Sequence, residues 1–228
     1  MRLRGENILI PARYQGPDGS ANGGYACGLV AARLDTAVAE VTLRLPPPLE
    51  TALRVERDAA GVRVLAGDVL VADAVPSEVE LEPPPVSSAE AEAAAERTTV
   101  FAEHEFPRCF VCGPLRDEGD GLRIFPGPVR DGVVAAPWRA RDVSPELVWA
   151  AIDCIGAFAV GYPDRGSVLL GRMAARIDRL PAEGERCVVV GWSLGADRRK
   201  LGAGTALLGA DGNPCAVARQ TWIQPRAT

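Results

Sequence analysis

Apolar residues recur with a helical period over 144–162. Leu147, Ala151, Ile155, Phe158 and Tyr162 share one face, and Val148, Ile152 and Ala159 widen it. Asp153 lies outside that stripe, in a row with Trp149, Gly156 and Val160, so no side of this helix is properly polar. A helix that is apolar all round is buried, and a carboxylate carried into such a place is costly unless it is paired. The common escape is a raised pKa, which is also what a general base needs. A second helix, shorter and made of small residues, is expected over 22–33 after the turn-rich lead from Gly16. Asn22 or Ser20 can cap it, while Gly23 and Gly24 leave its first backbone N–H groups open to whatever approaches.

Strands surround both helices. In the first half they are expected at 39–45, 53–57, 62–65 and 69–75, separated by the prolines at 46–48, Ala60-Gly61 and Gly67-Asp68. In the second half they are expected at 121–125 and 132–138 before the helix, then at 168–178, 187–194, 203–208 and 214–223. The order of strand, helix and a run of antiparallel strands thus occurs twice, and Arg44-Leu-Pro46 has its echo in Arg179-Leu-Pro181. Between the halves, three prolines from Pro83 stop the pattern before an alanine- and glutamate-rich helix with little apolar face. The boundaries follow: a first module at 1–81, a linker with a short Ala/Glu helix at 82–106, and a second module at 107–228. Two such modules side by side form one continuous sheet with two central helices.

Composition narrows the partners. With 228 residues, 47% hydrophobic and 24% charged, the chain is an ordinary globular one, and its net charge of −5 offers no concentrated basic face for nucleic acid. The opening Met-Arg-Leu-Arg-Gly-Glu-Asn precedes only three apolar residues before Pro11, and no apolar run approaches the roughly 18 residues of a membrane span. A cytoplasmic protein with reduced thiols is expected, its six cysteines mostly small buried hydrophobes. Cys109-Phe-Val-Cys112-Gly could be half of a zinc site or a redox pair. The sequence offers no second C-x-x-C, only His104 five residues upstream, and no strand before the motif. The expectation is therefore no metal and a tight turn entering the second module. His104, between Glu103 and Glu105, is expected to be solvated.

The segment 197–223, Asp-Arg-Arg-Lys-Leu-Gly-Ala-Gly-Thr onward, resembles the closing hairpin of hotdog-fold acyl-CoA thioesterases, and Asn22-Gly23-Gly24 resembles their helix start. The resemblance implies an α+β double hotdog, two helix-wrapped antiparallel sheets joined in one chain as a pseudo-dimer. In the phenylacetate-pathway type the central helix opens His-Gly-Gly and a catalytic Asp follows nine residues after the His. Each half departs from that pattern in a different place. The first half keeps Gly23 and Gly24, with Asn22 for His, but has Ala31 at the acid position. The second keeps Asp153, nine residues after Ser144, but has Pro145 and Glu146 for the glycines, and proline has no N–H to give.

In the family's dimers the amides and the acid of one site come from different subunits, so here they should come from different halves. One composite site would join Gly23 and Gly24 to Asp153; the other would join Pro145 to Ala31 and have neither group. The implied activity is thioester hydrolysis at a single working site. Helix-start N–H groups would stabilise the oxyanion, and Asp153 would act as general base or as nucleophile. Asn22, which cannot titrate, would hold substrate or cap the helix. Arg198, Arg199 and Lys200, at a strand turn, could contact the coenzyme A phosphates. The substrate partner is a small-molecule acyl-CoA, with coenzyme A entering as part of it and no other cofactor expected; a homodimer of double hotdogs is possible. Trp149, Trp192, Tyr25 and Phe158 could shape an acyl tunnel. The alternatives are an acyl-CoA or lipid binder that does not hydrolyse, which the change of His to Asn favours, and an interaction module. The dependence of hotdog dehydratases on a His speaks against that activity.

Overall fold

The computed structural model describes residues 7–102 and 104–226. Residues 1–6, part of the opening segment read above, and Glu103, expected beside His104, lie outside the described residues. Ten strands form one antiparallel sheet in the order β2-β3-β4-β1-β7-β10-β9-β8-β6-β5. The first half supplies β1 (Val38–Leu43), β2 (Arg54–Asp58), β3 (Gly61–Ala66) and β4 (Val69–Pro76). The second supplies β5 (Gly127–Arg130), β6 (Val133–Arg139), β7 (Leu169–Ile177), β8 (Arg186–Asp197), β9 (Lys200–Leu208) and β10 (Pro214–Ile223). The halves meet where β1 pairs antiparallel with β7, from Val38 opposite Arg176 to Thr42 opposite Arg172. This is the expected α+β double hotdog, with its two sheets continuous across the junction.

Two expected elements differ. No strand forms over 121–125; the amides of Leu122 and Ile124 are drawn out of any ladder by the carbonyls of Phe110 and Val111, at 2.9 Å each. The second-half helix is not continuous. It forms as α3 (Pro145–Ala151) and α4 (Ile155–Ala159), broken by a turn at 152–154.

One side of the sheet holds α1 (Gly23–Ala31), α3 and α4. Five of the nine residues of α1 are buried, among them Gly24, Cys27 and Gly28, and Asn22 caps its start by accepting the Tyr25 N–H at 2.9 Å. Glycine is required at two places because α1 and α3 touch. A Cβ on Gly28 would come within 2.8 Å of Glu146 Cα and 3.1 Å of Trp149 Cβ, and one on Gly24 would fall on Asp153 Cβ. Residues four apart share a helix face, so these glycines form a smooth strip against which α3 lies.

The other side of the sheet is covered by the connecting segment. Its helix α2 (Ser88–Ala95) begins with a capping box between Ser87 and Glu90 and buries Ala91 and Ala94. Val79, Val86 and Ala91 form an apolar cluster with Ala135, Val188, Val190 and Val217 of the sheet. Among the described residues no helix is long and apolar enough to cross a membrane.

The α1–α3 contact generates a stability prediction. Gly28→Ala should destabilise the fold by about 1–3 kcal/mol, because the added methyl meets backbone that cannot yield locally. Urea denaturation of the variant against the parent checks it; an unchanged midpoint would show that the helices are not held this closely.

Candidate active site

The break between α3 and α4 places Asp153. Gln220, on β10 and 1% exposed, donates from Nε2 to the Ile152 carbonyl at 2.8 Å and the Asp153 carbonyl at 3.2 Å. Its Oε1 accepts the Trp222 indole N–H at 2.8 Å. The Ile152 carbonyl freed by the break is thus satisfied by a strand side chain, as buried polar groups require, while the Asp153 carbonyl also accepts the Gly156 N–H at 3.0 Å. A Cβ on Gly156 would collide with the Gln220 amide, so glycine there lets the strand side chain reach the helix break. The interruption turns Asp153 toward the first half of the chain.

There the carboxylate meets the start of α1. Asp153 Oδ2 accepts the Gly24 backbone N–H at 2.8 Å and the Asn22 side-chain amide at 2.9 Å. The residue is 2% exposed, and its Oδ1, also buried, has no hydrogen-bond partner among the described residues. Burial pushes its pKa up to about 7; the Gly24 amide opposes that rise, nearby Cys109 adds to it, and the Asn22 amide opposes it. Of the first-turn donors of α1, Tyr25 N–H is taken by the Asn22 side chain, Ala26 N–H by the Asn22 carbonyl and Gly24 N–H by Asp153. Gly23 N–H alone has no protein partner among the described residues.

The fold therefore brings Asn22, Gly23, Gly24 and Asp153 together across the two halves. It also refines the expectation of two free amides, since the Gly24 N–H already binds the acid. At the corresponding start of α3, Ser144 Oγ accepts the Leu147 N–H at 3.3 Å and Pro145 occupies the first helical position.

Asn22, Gly23 and Asp153 line a cavity of about 280 Å³. Leu43, Leu170, Ala157, Phe158, Tyr162 and Trp222 make its wall largely apolar, and Arg44, paired with Asp73 at 2.5 Å, stands among its lining residues. Of the aromatics expected at a tunnel, only Phe158 lines this cavity. Tyr25 stacks on Tyr14 at 3.7 Å and lines a second cavity beside the start of α3, Trp149 packs in the core, and Trp192 lies against the apolar cluster on the opposite face of the sheet.

Arg198, Arg199 and Lys200 sit at the β8–β9 turn and do not line the cavity. Lys200 pairs in register with Ile223, which does line it, and Arg199 Nη1 donates to the Gln224 carbonyl at 3.0 Å. The turn thus stands one strand from the cavity wall.

Four residues not expected at the site share the same cavity: His104, Cys109, Cys112 and Cys154. The expectation of a solvated His104 is overturned. The ring packs against Tyr162 at 6.0 Å and Phe158 at 6.3 Å, and desolvation lowers its pKa. The sequence places Cys109, Cys112 and His104 near one another and Cys154 beside Asp153; that the two sets meet depends on where the loop after the linker crosses the helix break.

No protein-family model and no curated protein matches the chain by sequence. Solved structures match it over nearly its whole length. A proposed thioesterase from Novosphingobium aromaticivorans is 14% identical with a TM-score of 0.62, covering 96% of this chain and 95% of its own. The acyl-CoA thioesterase II TesB2 of Mycobacterium marinum is 12% identical with a TM-score of 0.58, covering 92% and 93%. The dehydratase domain of a mycocerosic acid synthase-like polyketide synthase is 16% identical with a TM-score of 0.60, covering 90% and 82%. At such identities the likeness is one of fold, and activity has to be argued from the site itself.

The Gln220 scaffold is directly testable. Gln220→Leu strands the Ile152 carbonyl and the Trp222 N–H in the interior, while the Asp153 carbonyl keeps the Gly156 N–H at 3.0 Å. Each unpartnered group costs about 1–3 kcal/mol, so the variant should lose at least about 2 kcal/mol of stability in denaturant titration. A loss near zero would show that water serves these groups instead.

Proposed function

We propose that the chain is a thioester hydrolase acting on an acyl-CoA at the single composite site between its halves. The observation that carries this is the Asp153 carboxylate of the second half, hydrogen-bonded to Gly24 and Asn22 of the first half, with one oxygen unpartnered beside an apolar cavity. An acyl chain fits that wall by its chemistry. With the thioester carbonyl at the start of α1, the Gly23 N–H and the positive end of the helix dipole meet the oxygen on which negative charge develops. The unpartnered Oδ1 of Asp153 then takes the proton of an attacking water or attacks the carbonyl carbon itself. The Gly24 and Asn22 donors fix the orientation of the acid through its other oxygen. Arg198, Arg199 and Lys200 extend the site outward as contacts for the coenzyme A phosphates.

One observation favours a second reading, an acyl-CoA binder that does not hydrolyse. The Gly24 N–H is spent on Asp153, and Asn22 can neither take nor give up a proton as a histidine would. Turnover separates the two.

In a thiol-release assay over acyl-CoAs of graded length, the parent should hydrolyse at least one member. Asp153→Asn should lower kcat by about 10²–10⁴, the usual contribution of a positioned proton acceptor, while intact acyl-CoA still binds. Binding without release by the parent supports the binder, and undiminished release by Asp153→Asn removes Asp153 from the mechanism.

A further inference from the structure

The sulfurs of Cys109, Cys112 and Cys154 all lie within 4.8 Å of one another, and Cys109 Sγ is 3.6 Å from Cys154 Sγ. Two come from the C-x-x-C turn that follows the linker. The third comes from the helix break, one residue after Asp153, and is the ligand that sequence spacing could not supply. A disulfide needs a separation of about 2.05 Å. A tetrahedral zinc ion with Zn–S bonds of about 2.3 Å instead holds its sulfurs about 3.8 Å apart. The Cys109–Cys154 separation of 3.6 Å matches an edge of that tetrahedron, and the third sulfur stands within 4.8 Å of both.

Polar side chains stand against two of the three sulfurs. Phe106 N–H donates to His104 Nδ1 at 3.0 Å, so the neutral imidazole carries its proton on Nε2 and donates it to Cys112 Sγ at 3.2 Å. Such outer hydrogen bonds hold a ligand in its anionic form and fix its direction. Asn22 Nδ2 stands 3.6 Å from Cys154 Sγ. All three cysteines line the cavity, which gives an ion a path in and leaves the fourth corner to water.

We propose that Cys109, Cys112 and Cys154 form a binding site for a thiophilic divalent metal ion of the zinc type, with His104 as a hydrogen-bonding support. The ion ties the connector loop to the α3–α4 break and so positions Asp153 from the side opposite Gln220. Three thiols lose their protons on binding; nothing is oxidised or reduced. The site stands independently of the hydrolase proposal, because metal content is read without substrate.

The test uses the full chain, first as purified and then stripped of metal and titrated with Co(II) under reducing conditions. The expected result is one zinc per chain, and on Co(II) addition a sulfur-to-cobalt charge-transfer band with visible bands of tetrahedral intensity at one equivalent. Cys154→Ala should lower metal affinity at least about tenfold, whereas Cys215→Ala, at a buried cysteine outside the cluster, should match the parent. His104→Ala should weaken binding by about 10–100-fold yet keep the charge-transfer band. Either of two outcomes would overturn the proposal: no charge-transfer band in the reduced parent, or a band unchanged by Cys154→Ala. Loss of the band in His104→Ala would overturn the assignment of three sulfurs with a supporting imidazole.

Discussion

The carboxylate of Asp153 is the point on which both halves of the molecule converge. A buried anion must be compensated, and the compensation comes from a helix start 129 residues away in sequence, through the Gly24 N–H. Only one of its oxygens is satisfied. The Asn22 and Gly24 donors both reach Oδ2, while Oδ1 is left buried and unpartnered. Half-compensation is a poor way to stabilise a fold, since removing the charge altogether would relieve an unmatched atom. It is a good way to keep a proton acceptor ready, and it is consistent with the upward shift of the Asp153 pKa that burial produces.

That contact requires an unusual approach of two helices. Gly24 and Gly28 give α1 a face without side chains, so Asp153 and Trp149 lie directly on its backbone. From the other side, Gln220 holds open the interruption that turns Asp153 toward α1. One glycine strip and one strand amide therefore set the acid to within a hydrogen bond of its partner. A methyl group on α1 or an apolar residue at 220 would shift it. Precision of this kind comes from packed elements rather than loops, which is why the candidate site sits on the helix pair and not at the exposed turns.

Much of this was legible in the sequence, and the exceptions have a common cause. The alternation of strands, the small-residue helix and the burial of Asp153 were readable, because each rests on periodicity within a segment or on a twofold repeat, whereas the pairing of Asp153 with the first-half glycines came from the family resemblance. The helix break was not. Leu147, Ala151, Ile155 and Phe158 keep helical spacing straight through it, and the residue that stabilises the break, Gln220, lies in a strand far along the chain. The extended run at 121–125 has strand composition but gives its amides to Phe110 and Val111. His104 looked solvated between two acidic residues, yet its ring is packed by Phe158 and Tyr162 from another element. Each error came from a tertiary contact that overrode a local pattern.

The two halves carry complementary helix starts, and physical chemistry makes the arrangement coherent. A glycine-opened helix start is useful only opposite a carboxylate, and a buried carboxylate is tolerable only opposite donors. Keeping Gly23 and Gly24 in one half and Asp153 in the other preserves one complete pair. Losing both at the second locus leaves Pro145 and Ala31, which demand nothing of each other. Had the losses fallen otherwise, with the acid and the amides surviving at different loci, the chain would carry a buried anion without donors. A cavity beside the start of α3 is bordered by Arg13, Arg123, Arg139 and Arg141 together with the carboxylates of Glu118 and Asp142.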